Sequence, residues 1–528
     1  MMFRFYDDEL HNLVLVASKS LAEIISYISV YDYHPPLQYI LNKFFYEIFG
    51  LNEYLLSIPS IIFILTTIYL GSRLVFKFTG SKKWSFVSVF LMFIHPLIFL
   101  WGKSIRWYPF WTFLIILSIY LLVNLWTTSA KNKRMWYIAA LIITLSISLY
   151  TNYQTVLFLA GIQIAAFVID RRDKIWTRSS QTLIITAGVF LVFTPYIPTA
   201  LNHLENFFIR KSIYSEYIST SPLISAGYFL YSIIFGQSIF PWDPLFIIIL
   251  SIALIGIVTS IFYFIQINAK SKLITAIFKD DKFRTICVLS VILLIIFTAY
   301  GSISGLSSAR GSLFLSILIV VSLVSFTSSI QKIYILNAMP RKIFHYFSIT
   351  SFLIVIIWMI ASVNVITGQH LHKSGLSIPV DAIINEVNKT NDDTNLSIIT
   401  TDFVLTYYLM KANYNVLSPY SENLSRLLNE RSAVHADSTG SLIFIQSYPG
   451  SLLPVKQKLE NYRKKLFDKA SDISHPIKLG YDPDYRMKLK FYSSAGIEKY
   501  RYTIFKLKPK DKWDPEFLGT ICTYRPDR

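Results

Sequence analysis

Runs of mostly apolar residues recur through the first 366 positions of the chain, at approximately 54–76, 84–102, 107–126, 135–150, 152–169, 181–198, 244–266, 284–300, 309–327 and 343–366. A helix rises 1.5 Å per residue, so about 20 apolar residues match the ~30 Å hydrocarbon core of a bilayer. The pattern predicts about ten membrane-spanning helices, two of which (135–150 and 152–169) meet in a tight hairpin at Thr151. Residues 10–50 read differently: they are apolar in part but interrupted by Lys19, Glu23, Asp32, His34, Pro35, Pro36, Lys43 and Glu47. Two amphipathic helices lying at the interface and joined at the His-Pro-Pro turn are expected there. Beyond residue 366 short β-rich runs, Leu396 to Thr400 and Ser441 to Ile445, alternate with helical stretches at 378–388 and 452–466, which predicts a small α/β domain. The expected fold class is an α-helical polytopic membrane protein over 1–366, followed by a C-terminal extracytoplasmic α/β domain over 367–528.

Composition agrees with this division. The chain is 53% hydrophobic and only 16% charged, where a soluble protein carries roughly 25% charged residues. Of the 32 acidic residues, 14 precede residue 367 and 18 follow it. The net charge of +18 raises the question of nucleic acid, but a nucleic-acid binder gathers its cations on one face of a soluble domain. Here they collect in alternate short loops: Arg73, Lys77, Lys82 and Lys83; Lys131, Lys133 and Arg134; Arg171, Arg172, Lys174 and Arg178; Lys270 to Arg284; Lys332, Arg341 and Lys342. That bias marks the cytoplasmic side of a plasma-membrane protein and excludes nucleic acid as the partner. Residues 1–53, the loop 199–243 and the C-terminal domain then face outward. Two cysteines, Cys287 in an apolar run and Cys522 near the end, make no disulfide framework.

No Asp or Glu lies within the ten apolar runs, whereas ion-coupled transporters place ionisable groups near the midplane. Charge gathers on the outer face instead. Asp7, Asp8 and Glu9 stand in sequence, and one short loop reads Gly102-Lys103-Ser104-Ile105-Arg106-Trp107-Tyr108-Pro109. Such acids could take a proton from an acceptor hydroxyl while such cations neutralise a departing phosphate; the plainer reading is ordinary interfacial charge. A guanidinium suits phosphate better than an ammonium does, which ranks Arg106 above Lys103. His95, beside Pro96 on an apolar run, reads as a core histidine, and Trp101, Trp107, Tyr108 and Trp111 as an aromatic interface belt. His370 and His372 form a His-x-His pair without a neighbouring acid or cysteine, so no metal site and no cofactor is assigned, although a divalent ion is left open.

The series Asp8-Glu9, His34-Pro35-Pro36-Leu37-Gln38-Tyr39, Phe49-Gly50-Leu51-Asn52-Glu53 with Ser57-Ile58-Pro59-Ser60, and Arg106-Trp107-Tyr108 resembles the first third of the C-type (GT-C) membrane glycosyltransferases. It is most similar to the branch holding dolichyl-phosphate-mannose protein mannosyltransferases and bacterial aminoarabinose transferases. The resemblance implies a polyprenyl-phosphate-linked sugar donor and transfer, with inversion, to a hydroxyl of a lipid, glycan or protein at the outer face. It implies Asp8 as general base with Glu9 its partner. Arg106, Lys103 and Arg310 are implied as phosphate ligands, and His34 and Tyr108 as possible substrate contacts. Two departures stand out. Ser104 occupies the position of a second acid in many relatives, with Glu205, Glu216 or Asp243 as candidate substitutes, and Gly311 follows Arg310 where a tyrosine is common. Relatives also carry a membrane helix before the acidic pair, so the start of the chain is expected either to lie upstream or to lack that helix.

Two other classes stay open on the residues: a lipid-linked glycan flippase or polymerase, which calls for a polar path through the spans, and a non-catalytic membrane scaffold. An oligosaccharyltransferase would carry a Trp-Trp-Asp signature that the C-terminal domain lacks. The orientation is testable directly. A reporter fused after residue 133 is expected to read cytoplasmic and one after residue 375 external, and the reverse result in either fusion overturns the assignment.

Overall fold

The computed structural model describes residues 7–217, 222–236, 247–248, 251, 281–304, 309–335, 341–366, 380–390, 396–400, 403–417, 441–448, 467–476 and 499–507. Two compact units divide the chain, one formed by residues 1–24, 41–56 and 371–528 and the other by 25–40 and 57–370. The expected span 244–266, the expected helix 452–466, and His370 and His372 fall largely or wholly outside the described residues.

The N-terminal region holds three helices where two were expected: α1 Asp7–Ser18, α2 Leu21–Tyr31 and α3 Leu37–Phe49. The additional break has a local cause. Ser20 and Glu23 form a capping box, the Ser20 amide donating to Glu23 Oε2 at 2.8 Å and the Glu23 amide to Ser20 Oγ at 3.4 Å, which starts a new helix. Among the residues of the first unit, Asn42 of α3 donates to Asn12 of α1 at 2.6 Å, and Lys43 Nζ donates to the Val16 carbonyl at 2.9 Å. Gly50 ends α3 with φ +60, a left-handed position that glycine adopts without cost. Asn52 then caps the next helix, its Oδ1 accepting from the amides of Tyr54 and Leu55 at 3.0 and 3.1 Å. The Phe-Gly-Leu-Asn motif is thus a stop and a start.

The C-terminal part of this unit has five strands, β1 Leu396–Thr400, β2 Asn415–Leu417, β3 Ser441–Tyr448, β4 Phe467–Pro476 and β5 Lys499–Leu507, in the order β2-β1-β3-β5-β4. β1 runs parallel to β2 and β3, pairing Ile398 with both Val416 and Ile443, and β5 runs antiparallel to β3 and β4. Helices Val380–Thr390 and Phe403–Lys411 contribute Ile383, Val387, Leu405 and Tyr407 to its core. Lys411 pairs with Glu53 at 2.9 Å.

The second unit is the helical bundle. It continues with α4 Glu53–Thr79, α5 Lys82–Phe93, α6 Pro96–Trp101, α7 Tyr108–Thr127, α8 Lys131–Thr151, α9 Thr155–Asp173, α10 Thr177–Phe193, α11 Ile197–Tyr217, α12 Pro222–Phe235, α13 Asp281–Ser304, α14 Leu313–Ile335 and α15 Arg341–Ile366. Six described stretches are long and apolar enough to cross a membrane: Glu53–Thr79, Tyr108–Thr127, Lys131–Thr151, Thr177–Phe208, Arg284–Ser302 and Arg310–Ser329. The expected run 84–102 is two helices. Proline lacks an amide and drives the residue before it out of helical conformation, so His95, at ψ 120, separates α5 from α6. The carbonyl of Ile94 at this break accepts from Ser362 Oγ of α15 at 2.7 Å. His95 is completely buried with its ring 4.6 Å from that of Trp358.

α12 lies where a long outer loop was expected. Its fourteen residues fall short of a span, yet Phe229 and Ile233 are buried. Its final carbonyls are taken by other helices: Ser316 Oγ donates to Ile233 at 3.0 Å and Trp358 Nε1 to Ile234 at 2.7 Å. Gly236 follows with φ +79, its Cα so close to Pro96 that a Cβ would lie 2.6 Å from the ring.

At the opposite end of α9 an ionic network joins three helices. Arg284 Nη2 of α13 reaches both carboxylate oxygens of Asp173, at 2.8 and 2.9 Å. Arg178 of α10 reaches Asp173 at 2.7 Å and the buried Asp170 at 3.5 Å, and the Ser179 amide donates to Asp170 at 2.7 Å. Removing one member strands the others, at a cost of roughly 3 to 5 kcal/mol for a buried pair. Arg284→Met is therefore expected to lower the unfolding temperature of the detergent-solubilised protein markedly, whereas an unchanged melt shows the network to be dispensable.

Candidate functional site

Three of the sequence motifs come together within the helical bundle unit. The first is the turn between α2 and α3. Here α2 stops at Tyr31, and its last carbonyls are claimed by α11: His203 Nε2 donates to the Ile28 carbonyl at 2.9 Å, and Asn206 Nδ2 to the carbonyls of Val30 and Asp32 at 2.9 and 3.0 Å. Since His203 Nε2 carries the proton, Nδ1 accepts from Tyr153 Oη, 2.7 Å away.

The Asp32 carboxylate organises the turn itself. Its Oδ1 accepts from the amides of Tyr33 and His34 at 2.6 and 3.1 Å and from His34 Nδ1 at 2.9 Å; its Oδ2 accepts from Tyr39 Oη at 2.5 Å. Burial on its own would raise the carboxyl's pKa. The His34 charge and the hydrogen bonds from His34, Tyr39 and the Tyr33 amide outweigh it, and Asp32 is held well below the usual carboxylate range. Tyr39 moves the other way: burial and the neighbouring Asp32 carboxylate push its hydroxyl well above its usual value, against the opposing field of Arg106. Tyr39 is thereby a fixed donor with a guanidinium nearby.

The second motif is the loop 102–107. Ser104 builds its turn, its amide donating to the Trp101 carbonyl at 3.1 Å and its Oγ accepting from the Arg106 amide at 3.2 Å. Two side chains from outside hold the loop: Gln38 Nε2 donates to the Ile105 carbonyl at 2.7 Å, and Ser60 Oγ to the Ser104 carbonyl at 2.6 Å. The serine at the position of the missing acid is thus a turn former. Lys103 and Arg106 are half-buried on this loop.

The third is Arg310, in the 3-10 turn Ala309–Ser312 that leads into α14. Its guanidinium carbon lies 5.3 Å from the centre of the Trp101 ring and 5.5 Å from that of Tyr108, within cation–π range. Trp101 and Tyr108 flank the loop carrying Lys103 and Arg106, so Arg310 stands at that loop's two ends. Gly311 leaves room for the Trp107 ring, since a Cβ there would sit 3.0 Å from it. A tyrosine at 311 would have to displace Trp107.

The four aromatic residues assigned to an interface belt are core residues. Trp101, Trp107, Tyr108 and Trp111 are all buried, and Trp111 packs edge-on against Phe314 at 5.3 Å while donating to Thr155 Oγ1 at 2.9 Å. Of the acidic pair, Asp8 lies in the first turn of α1, where only its backbone is described, and Glu9 beside it is buried. Both belong to the first unit. Among the suggested substitute acids Glu205 is exposed, the side chain of Glu216 lies outside the described residues, and so does Asp243. Sequence reading passed over Asp32, which it treated as one of several interruptions; its signal was an aspartate two residues before a histidine that precedes two prolines, where an acceptor for exposed amides is needed.

Residues 33–198 match the family model described as dolichyl-phosphate-mannose-protein mannosyltransferase. This stretch includes the His-Pro-Pro turn, the Phe-Gly turn and the Arg106 loop. The ArnT structure of Cupriavidus metallidurans bound to undecaprenyl phosphate is similar over 95% of this chain and 94% of that one, at 11% identity and a TM-score of 0.48. The Archaeoglobus fulgidus oligosaccharyltransferase structure is similar over 83% of this chain and 64% of that one, at 12% identity and a TM-score of 0.42. Accessory gene regulator protein B of Staphylococcus epidermidis is 28% identical over 115 residues, 21% of this chain. The chain spans 59% of the length of that curated relative.

The loop 102–107 depends on Gln38 for its shape. Gln38→Leu removes the hydrogen bond that Gln38 gives to the Ile105 carbonyl, a loss of roughly 0.5 to 1.5 kcal/mol. A lower melting temperature in detergent is the expected outcome, and faster proteolysis within 102–107 is its local signature; a variant as stable as the parent removes Gln38 from this role.

Proposed function

We propose that the protein is a membrane glycosyltransferase that moves a sugar from a polyprenyl-phosphate donor to a hydroxyl of a lipid, glycan or protein at the outer face of the plasma membrane. The observation that carries this reading is the position of Arg310 on the two aromatic rings that flank Lys103 and Arg106, in a chain whose residues 33–198 match a family named for a polyprenyl-phosphate-linked sugar. Cations on one loop and at its ends suit a phosphate that leaves as a dianion. A donor with a long isoprenoid tail also accounts for a membrane-embedded fold, because the tail stays in the bilayer while the phosphate reaches the surface.

In the reaction, the acceptor oxygen forms a bond to the sugar C1 while the bond from C1 to the phosphate oxygen breaks. The acceptor proton passes to Asp8, Glu9 supports it, and the polyprenyl phosphate departs toward Arg106, Lys103 and Arg310. Attack from the face opposite the leaving group inverts the anomeric centre. Tyr108 supports Arg310 through its ring, and His34 contacts the substrate.

General-base removal of a proton is typically worth about 100-fold to 10,000-fold. Asp8→Asn keeps the shape of the side chain but cannot accept that proton, so it should abolish sugar transfer in a reconstituted assay with expression unchanged, and Asp7→Asn should be far milder. Arg106→Lys keeps the charge without the fork, and a fall of tenfold or more is expected, about 1.4 kcal/mol of barrier. Normal transfer by Asp8→Asn and Asp7→Asn together places the base elsewhere, and full activity in Arg106→Ala removes that residue from the mechanism.

A further inference from the structure

Asp32 has a carboxylate in the middle of the proposed site that the reaction above does not use. Both of its oxygens are occupied: Oδ1 has three donors and Oδ2 has Tyr39. A carboxylate so occupied is a poor general base, because its lone pairs are already given to hydrogen bonds. It does not replace the acid missing at Ser104. What it does is constrain its neighbours. Because an ionised carboxylate only accepts, the 2.9 Å contact fixes a proton on His34 Nδ1 and turns the ring. The ring is further held by Tyr33, whose centroid lies 4.1 Å away. Nε2 is then the edge of His34 without a partner among the described residues, and the side chain is 21% exposed.

We infer that Asp32 is a positioning residue, which holds the His34 ring with Nδ1–H toward the carboxylate and Nε2 outward, so that the doubly protonated imidazolium donates through Nε2–H to the phosphate of the lipid-linked donor. The inference rests on the transferase reading and deepens it. The loop carrying Arg106 abuts this segment, Gln38 Nε2 donating to the Ile105 carbonyl at 2.7 Å. Arg106 lies close enough to Tyr39 for its field to be felt there. His203 on α11 is within electrostatic reach of both Asp32 and His34, but its two nitrogens are committed to the Ile28 carbonyl and Tyr153. Tyr153 and Tyr196 are likewise within reach of Asp32. Of the imidazoles at this turn, His34 is the one with a nitrogen to offer.

A double-mutant cycle separates this role from a merely structural one, because residues that act through one another lose less together than the sum of their separate losses. The measurement is the affinity of the full-length protein, in nanodiscs, for a polyprenyl phosphate without sugar. Asp32→Asn retains an oxygen for the amides of Tyr33 and His34, and His34→Ala leaves the carboxylate and its turn in place. Each single variant is expected to weaken binding about tenfold, and the double variant about tenfold as well rather than a hundredfold. Additive losses would show that Asp32 acts on the turn alone, and unchanged affinity in His34→Ala, which does not depend on Asp32→Asn folding, would remove His34 from the phosphate. A wild-type protein that does not bind the polyprenyl phosphate overturns the transferase reading itself, and the inference with it.

Discussion

A backbone carbonyl freed at a helix break inside a bilayer has no water to turn to, and leaving it unsatisfied costs several kcal/mol. Among the described residues, the helical bundle supplies a side chain from a distant helix at several of its breaks. Ser362 closes Ile94, Trp358 and Ser316 close the end of α12, and His203 and Asn206 close the end of α2. Gln38 and Ser60 do the same for the loop 102–107. These contacts are what allow a chain of apolar helices to carry polar, irregular turns, and the candidate site is made of such turns. The His-Pro-Pro turn and the Arg106 loop hold their shape because α11 and α3 supply the missing donors.

That dependence also explains how the motifs divide between structure and chemistry. Gly50 and Asn52 are helix punctuation, and Ser104 forms a turn. Asp32 has both functions, since the same oxygen that takes two backbone amides also takes the imidazole.

The helices of the bundle were legible from the length of apolar runs, because crossing a bilayer imposes one number on every span. α4, α7, α8 and α13 follow their runs closely. Where the sequence misled, a shorter-range effect had replaced that rule. Pro96 cut one run into α5 and α6, the Ser20–Glu23 capping box cut an interface helix in two, and α12 was too short to register although its neighbours bury it. The aromatic residues near the Arg106 loop looked like an interface belt because sequence gives depth along the chain and not facing; packing puts Trp111 at the centre of a cluster with Phe297 and Phe314. Among the site residues, cations were visible as charges in an apolar setting. The role of Asp32 was hidden, since it depends on Tyr39 being folded back onto it by a helix that begins five residues later.

The ionic network at the end of α9 has a consequence for synthesis. Asp173, Asp170 and Arg178 emerge from the ribosome almost together, but Arg284 follows Asp173 by 111 residues. At about 5 to 20 residues per second, the α9–α10 pair waits roughly 5 to 20 s with one arginine for two carboxylates. During that interval Asp170 and Asp173 share the guanidinium of Arg178, and the arrival of α13 completes the network, so the order of insertion is written into which helix carries the second guanidinium.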